Sequence, residues 1–185
     1  MTEETLLEAD ELMQRAVDAS SEDFATVRTG RANPSLYSKV LVDYYGAPTP
    51  LQQLASFTTP DARTILITPY DVSAMREIEK SLSDSEIGAN PSNDGKQIRI
   101  TMPDLTEERR REYVKIVKSK GEDHKVSVRN ARRKAKEAID RAVKDGEIGE
   151  DDGDRGLKEL DGMTKQYTER IDEMIKRKEA ELLEV

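Results

Sequence analysis

The sequence contains no cysteine and no tryptophan, and His124 is the single histidine among its 185 residues. Without cysteine the chain forms no disulfides, thiolate metal sites or iron–sulfur clusters, and it has no cysteine nucleophile. One histidine also excludes the zinc motifs that need a pair. Cysteine and paired histidines, on which many catalytic and metal sites depend, are therefore missing. We predict no catalytic residue, no metal site, no cofactor and no enzymatic activity.

Long apolar segments are missing as well. The longest aliphatic runs, 40–42 and 65–67, are three residues each, whereas a transmembrane helix needs about 20. The acidic N-terminus lacks the apolar region of a secretory signal. Charged residues make up 37% of the chain and the mean hydropathy is −0.77, values that suit helical bundles with narrow apolar stripes. We therefore predict a soluble, cytoplasmic protein without membrane contact.

Charge is distributed unevenly along the chain, whose formal net charge is −8. Residues 1–27 carry −7, residues 28–106 carry −1, residues 107–145 carry +6 and residues 146–185 carry −6. One basic segment inside an acidic chain indicates a polyanionic partner.

Three segments show the three- and four-residue apolar spacing of amphipathic helices, namely 3–29, 107–145 and a third from about residue 153. Gly30 is the expected stop of the first helix. The apolar stripe of the second helix is predicted to comprise Val117, Gly121, His124, Val128, Ala131, Ala135, Ala138 and Ala142. Such stripes must be buried against one another, which predicts an elongated three-helix bundle with His124 as a packed residue rather than a catalyst.

The stretch 31–104 has a different character, because it contains all seven prolines and most of the β-branched runs. Residues 38–45, 63–68 and 97–102 are predicted strands, and a short amphipathic helix lies between the last two. We therefore predict an α+β protein of two domains, a discontinuous bundle (1–30 and 105–185) and an inserted β/α/β domain (31–104).

The chain crosses twice between these predicted domains. Gly30 and Arg31 mark one crossing, and Pro103 and Asp104 mark the other. A paired crossing with glycine and proline is typical of a hinge, although a fixed elbow fits the same residues.

Within the basic segment, VSVRNARRKAK at 126–136 contains no acidic residue. Helical spacing places four of its cations on one face, which we call the basic face: Arg129, Arg132, Arg133 and Lys136. Guanidinium groups match phosphate geometry, so the pattern predicts phosphate binding. The alternative is that the acidic first and third helices neutralise this face within the bundle. Arg109, Arg110 and Arg111 extend the surface or pair with Glu107 and Glu112.

Six segments taken in order resemble the ribosome recycling factor family of bacteria and organelles. They are RTGRANPS (28–35), DYYGAPTPLQQLA (43–55), NPSNDGKQIRI (90–100), LTEERRREYVK (105–115), VSVRNARRKAK (126–136) and KEAELLEV (178–185). The resemblance covers the whole chain at the family's usual length. It implies an antiparallel three-helix bundle with a small β/α/β domain inserted after the first helix, together L-shaped like tRNA.

The resemblance also implies a function and partners. It implies a monomeric translation factor that binds the large ribosomal subunit and its rRNA in the vacated tRNA region after termination. Elongation factor G, which hydrolyses the GTP, then drives subunit splitting, and initiation factor three acts downstream. The region around Tyr44, Tyr45 and 48–55 would face elongation factor G. The family's RNA-contacting arginines correspond to Arg28, Arg31, Arg110, Arg129, Arg132 and Arg133.

Two other hypotheses stay open from the residues alone. One is a helical adaptor whose basic face binds an acidic protein. The other is an RNA-processing enzyme that uses the carboxylates of Asp151 and Asp152, although no histidine or lysine is predicted to converge on them.

Overall fold

The computed structural model describes residues 2–85, 87 and 89–184. The chain divides into two compact units. The first comprises Met1–Phe24 and Val114–Glu181, and the second comprises Ala25–Tyr113 and Leu182–Val185. The architecture is therefore α+β, with a helical unit and a sheet-containing unit. The domain limits inferred from the sequence, 1–30, 31–104 and 105–185, stay a prediction.

Three long helices dominate the protein: α1 (Thr2–Ala25), α4 (Glu107–Lys144) and α5 (Glu150–Leu183). Contacts in the helical unit give their directions. Asp10 meets Tyr167 and Gln14 meets Arg170, so α1 runs parallel to α5. Arg132 meets Asp161 and Lys118 meets Glu179, so α4 runs antiparallel to α5. Consecutive helices are thus antiparallel, as the resemblance implies.

The first helix ends at Ala25, four residues before the predicted end, so Gly30 is not its C-terminal stop. The reason lies in the following segment. Val27 and Thr29 are buried, and Arg28 donates to the carbonyl oxygens of Ile87 and Pro103. These contacts belong to the second unit and stabilise the non-helical backbone of this segment.

The buried side of α4 is lined mostly by small residues. Val117, Val128 and Ala135 are buried as predicted, but Ile139 is buried where the sequence suggested Ala138, which is exposed. Ala142 is buried as predicted, so the stripe differs at this one turn, where the larger Ile139 lies against Gly153 and Gly156 of α5. A Cβ on Gly121 would lie 2.3 Å from Cδ1 of Ile175, so this glycine permits close packing of α4 on α5.

The second unit holds two antiparallel sheets. β1 (Leu41–Tyr44) and β2 (Ala47–Pro50) form a hairpin. Its two-residue turn, Tyr45 and Gly46, has positive φ at both positions, which matches the strand twist. The larger sheet has the order β3-β4-β6-β5 and is built from β3 (Ala55–Asp61), β4 (Thr64–Pro69), β5 (Pro91–Asn93) and β6 (Ile98–Thr101). Two short helices, α2 (Leu51–Leu54) and α3 (Met75–Ser83), complete the unit.

Strands β4 and β6 form the centre of this unit. Ile65 pairs with Ile100 and Ile67 with Ile98, and all four side chains are fully buried. These strands and α3 confirm the sequence prediction. Strands β2, β3 and β5 were missed because each contains proline, which argues against a central strand but is accepted at sheet edges. No helix in the described part of the chain is long and apolar enough to cross a membrane.

Candidate nucleic-acid interface

Two neighbouring arginines in the middle of α4 are exposed and have no acidic partner among the described residues. Arg129 and Arg133 are four residues apart, so their side chains lie on the same helix face one turn apart. Both are exposed, and no residue in the described ranges forms an ion pair with either. We refer to them as the outer pair. Two adjacent, uncompensated guanidinium groups repel each other and favour an approaching anion.

The cations on either side of the outer pair are compensated. Arg132 Nε lies 2.8 Å from Asp161 Oδ1 on α5, and Lys134 Nζ lies 2.5 Å from Glu8 Oε1 on α1. Lys136 pairs with Asp140 one turn along α4. Acidic side chains therefore neutralise the cations at the edges of the basic face and not the two arginines at its centre.

Lys115 extends the unpaired surface and was not singled out from the sequence. It precedes Arg129 by 14 residues, close to four helical turns, and is exposed on nearly the same face. No carboxylate among the described residues pairs with it. The two-heptad spacing from Arg129 was a usable signal, but Glu122 interrupts the charge pattern between them.

Arg110 has a different environment. It donates to the carbonyl oxygens of Leu105 at 3.3 Å, Leu182 at 2.9 Å and Glu184 at 2.6 Å. Leu182 and Glu184 lie at the C-terminal end of α5, where helix carbonyls lack intrahelical partners. Arg110 therefore caps this end. Its neighbours Arg109 and Arg111 pair within α4, with Glu112 and Glu107 respectively.

Arg28 and Arg31 also make contacts inside the second unit. The half-buried Arg28 donates to the carbonyl oxygens of Ile87 at 3.1 Å and Pro103 at 2.7 Å. Arg31 Nη2 lies 3.3 Å from Glu184 Oε2, with both side chains exposed. The structure thus separates the six predicted RNA-binding arginines. Arg129, Arg132 and Arg133 lie together on α4, whereas the other three contact the second unit's own backbone or C-terminal segment.

The predicted hinge residues have contacts of their own. Asp104 pairs with Arg63 at 2.6 Å, and the Pro103 carbonyl accepts from Arg28. Gly30 does not have a positive φ, and a Cβ there would meet nothing within 4 Å. Glycine at position 30 is therefore not required by local conformation or space.

The exposed corner of the second unit around Tyr45 is pre-ordered by one carboxylate. Asp71 accepts hydrogen bonds from the backbone and hydroxyl of Ser73 and from the hydroxyls of Tyr44 and Tyr45. These donors, led by the Ser73 hydroxyl, lower the pKa of Asp71. Tyr45 is strongly exposed, whereas Leu51 and Leu54 of the predicted 48–55 contact segment are buried in the core.

The carboxylates of the enzymatic alternative lie at the N-terminal end of α5. Asp151 and Asp152 lie exposed in the first turn of α5, and Asp152 pairs with Arg155. Within the described ranges, no group of three or more acidic or histidine side chains is arranged to hold a metal ion.

Comparison with known proteins gives a consistent result over the whole chain. The sequence model described as "Ribosome recycling factor" matches residues 20–183. The ribosome-recycling factor of Pseudarthrobacter chlorophenolicus is 73% identical over 185 residues, covering 100% of both chains. The ribosome-recycling factor of Streptomyces coelicolor is 60% identical with the same coverage.

Solved structures agree. The solution structure of a ribosome recycling factor matches with a TM-score of 0.79 and 37% identity, covering 100% of this chain and 98% of that one. A second match, with a TM-score of 0.70, 37% identity and 100% coverage of both chains, is the T. thermophilus ribosome recycling factor. It comes from models of that factor and E. coli elongation factor G bound to the E. coli post-termination complex.

Proposed function

Because this chain belongs to the ribosome recycling factor family, we propose that it recycles ribosomes after termination. It binds the large subunit in the vacated tRNA region and, with elongation factor G and GTP, splits the post-termination complex. The observation that carries this proposal is the 73% identity to a ribosome-recycling factor over the full length of both chains.

The outer pair is the proposed centre of the rRNA contact. Arg129 and Arg133 present their guanidinium groups to solvent from a rigid helix, and Arg132 lies beside them. Phosphate binding would relieve the repulsion between the outer arginines, which no acidic side chain among the described residues neutralises. Three such contacts would give a slope of log affinity against log salt of about −2 to −3.

The remaining roles are assigned to partners. The sequence contains no GxxxxGK[ST] phosphate loop. We assign GTP hydrolysis to elongation factor G and propose that the chain itself is not an enzyme. The exposed corner around Tyr45 is the proposed contact for that factor. Initiation factor three would act downstream. We place the protein in the cytoplasm as a monomer with no cofactor.

We further propose that the segments at Gly30–Arg31 and Pro103–Asp104 act as a hinge. They would join the bundle domain (1–30 and 105–185) to the inserted domain (31–104). A cysteine pair engineered across the two domains tests this in a chain that has no other cysteine. The oxidised form should bind ribosomes but fail to split them, and the reduced form should do both. Full splitting by the oxidised form would contradict hinge coupling.

The function is tested by light scattering of post-termination ribosomes mixed with elongation factor G and GTP. Splitting should require the protein and should weaken when Arg129 and Arg133 are both replaced by alanine. Lys134→Ala is the matched control, because Lys134 is an exposed cation on the same helix turn that is already paired with Glu8. Splitting without the protein, or none with it, would reject the proposal.

A ribonuclease control separates the adaptor hypothesis. If the basic face binds an acidic protein, capture of the partner should survive ribonuclease treatment. Binding to rRNA predicts that capture is lost.

A further inference from the structure

We propose that Asp161 on α5 is a positioning residue for phosphate recognition, because it orients the guanidinium group of Arg132. This inference rests on the proposed rRNA contact of the basic face. The negative charge of Asp161 repels a phosphate, but the orientation that Asp161 imposes on Arg132 would strengthen phosphate binding by more than this repulsion weakens it.

The contact uses one particular edge of the guanidinium. Arg132 donates from Nε to Asp161 Oδ1 at 2.8 Å, and within the described chain this is the one partner of that side chain. A guanidinium has five N–H donors in a planar fork. With Nε–H engaged, the plane of the group is fixed and the four Nη hydrogens remain for another acceptor. The Nη1–Nη2 edge is one that can bind a phosphate through two parallel hydrogen bonds.

The partial exposure of Arg132 also favours a role in phosphate binding. The Arg132 side chain is 37% exposed, so part of it reaches solvent although it bridges α4 and α5. The outer pair lies on the side of α4 that faces away from the bundle, and Arg132 is one residue from Arg133. Asp161 thus holds a third guanidinium at the edge of the unpaired surface without neutralising the two arginines at its centre.

An orienting carboxylate has a measurable consequence. An untethered arginine must lose its side-chain freedom when it binds, and pre-ordering removes that cost. Deleting the Asp161 charge should therefore weaken binding by about two- to tenfold, the effect of immobilising one long side chain. Simple electrostatics predicts the opposite sign, because removing an anion from a surface that binds a polyanion should tighten binding.

Asp172 provides a matched control. It lies 11 residues, or about three turns, after Asp161 on the same face of α5, and it bridges to Lys125 on α4 at 2.8 Å. Lys125 is 12% exposed and also pairs with Glu122, so its ammonium is not available to a phosphate. Asp172→Ala therefore removes the same carboxylate from the same helix face without disturbing a guanidinium that is proposed to bind phosphate.

The experiment measures the dissociation constant of purified large ribosomal subunits for the full chain over a salt series. Asp161→Ala, which removes the acceptor of the Nε–H as well as the charge, should bind about two- to tenfold more weakly than wild type, whereas Asp172→Ala should bind equally or more tightly. In an Arg132→Ala background, Asp161→Ala should cause no further weakening. Circular dichroism and thermal unfolding confirm that each variant is folded, and Arg132→Lys, which lacks the Nε edge, should behave like Asp161→Ala.

Equal or tighter binding by Asp161→Ala, or equal weakening with and without Arg132, would overturn the positioning role. In both of these outcomes the wild-type protein still binds the large subunit, so the proposed function is unaffected. No detectable binding by folded wild-type protein would instead reject the proposed function, and the positioning role with it.

Discussion

Nε2 of His124 lies 2.8 Å from Oδ2 of Asp23, joining the middle of α4 to the last turns of α1. The His124 side chain is 15% exposed, so this polar contact is largely shielded from water. It explains how a histidine occupies the apolar stripe of α4, because its ring packs in the bundle while its nitrogen finds a partner at the rim.

The first prediction concerns this pair. His124→Ala should lower the free energy of unfolding by about 1–3 kcal/mol, because it removes a shielded hydrogen bond to a carboxylate and leaves Asp23 with a weaker partner. Urea denaturation at pH 7 measures the change. Lys120→Ala is the control: Lys120 is 3.8 Å from the same carboxylate and better exposed, so its loss should cost less than about 0.5 kcal/mol. Equal losses would contradict a specific role for His124.

Arg110 should act on stability more than the other members of its cluster. Arg110→Ala removes a side chain that donates to three backbone carbonyls, including two at the end of α5, and should destabilise the protein by about 1–3 kcal/mol. Arg111→Ala breaks an exposed intrahelical pair and should change stability by less than about 0.5 kcal/mol. Thermal unfolding of both variants tests this. Unchanged stability in Arg110→Ala would leave the residue available for RNA and reject its role as a cap.

The buried Tyr37 should produce an alkaline limit of stability. Burial raises the pKa of its hydroxyl to about 12 from an ordinary value of 10.0, with the nearby Arg28 opposing the shift. The folded protein holds this proton more tightly than the unfolded chain does. The stabilisation is therefore fully present below pH 10 and is lost as the pH rises towards 12, by about 2–3 kcal/mol in total.

Denaturation at pH 9 and pH 11 on the wild type and Tyr37→Phe measures this loss. The variant should lose less stability between the two conditions, since it has no hydroxyl to ionise. Tyr70→Phe, at an exposed position, should follow the wild type. The same pH dependence in all three proteins would contradict the prediction.

Two helical glycines should respond differently to replacement by alanine. Gly162 is exposed and a Cβ there would meet nothing within 4 Å, so Gly162→Ala should stabilise the protein by about 0.5–1 kcal/mol through helix propensity. Gly121→Ala gains the same propensity but places a Cβ within 2.7 Å of both Cδ1 and Cγ1 of the buried Ile175.

Overpacking of this kind typically costs about 1–3 kcal/mol, so Gly121→Ala should be neutral to destabilising. Chemical denaturation of the two single variants provides the comparison. Equal stabilisation by both would show that Ile175 moves aside without cost.

The sequence predicted the elements whose pattern is local. Helix α4 was placed within one residue at its end, because Thr106 and the acidic first turn mark its start and Gly146 follows its end. The strands β4 and β6 were found because isoleucine alternates in them. The end of α1 was misplaced, since the contacts of Arg28 that end it involve carbonyls about 60 and 75 residues away.

The candidate site divides in the same way. Helical spacing was sufficient to bring Arg129, Arg132 and Arg133 together on one face. It could not show that Asp161 and Glu8, from two other helices, reach only the flanking cations. Nor could it distinguish Arg110 from Arg109 and Arg111, because two of the three carbonyls that Arg110 binds follow more than 70 residues later.

The hydrogen bond from Tyr167 to Asp10 joins residues 157 positions apart. Since α1 packs beside α5, its apolar stripe can be fully covered only after nearly the whole chain has been synthesised. The strands of the second unit, by contrast, pair within residues 41–101. A nascent chain would therefore be able to complete its sheets early, whereas α1 can be fully covered only after α5 has been synthesised. Until α5 has been synthesised the N-terminal helix is most exposed to aggregation or proteolysis, and truncation before α5 should leave the sheets folded but the α5-facing side of α1 uncovered.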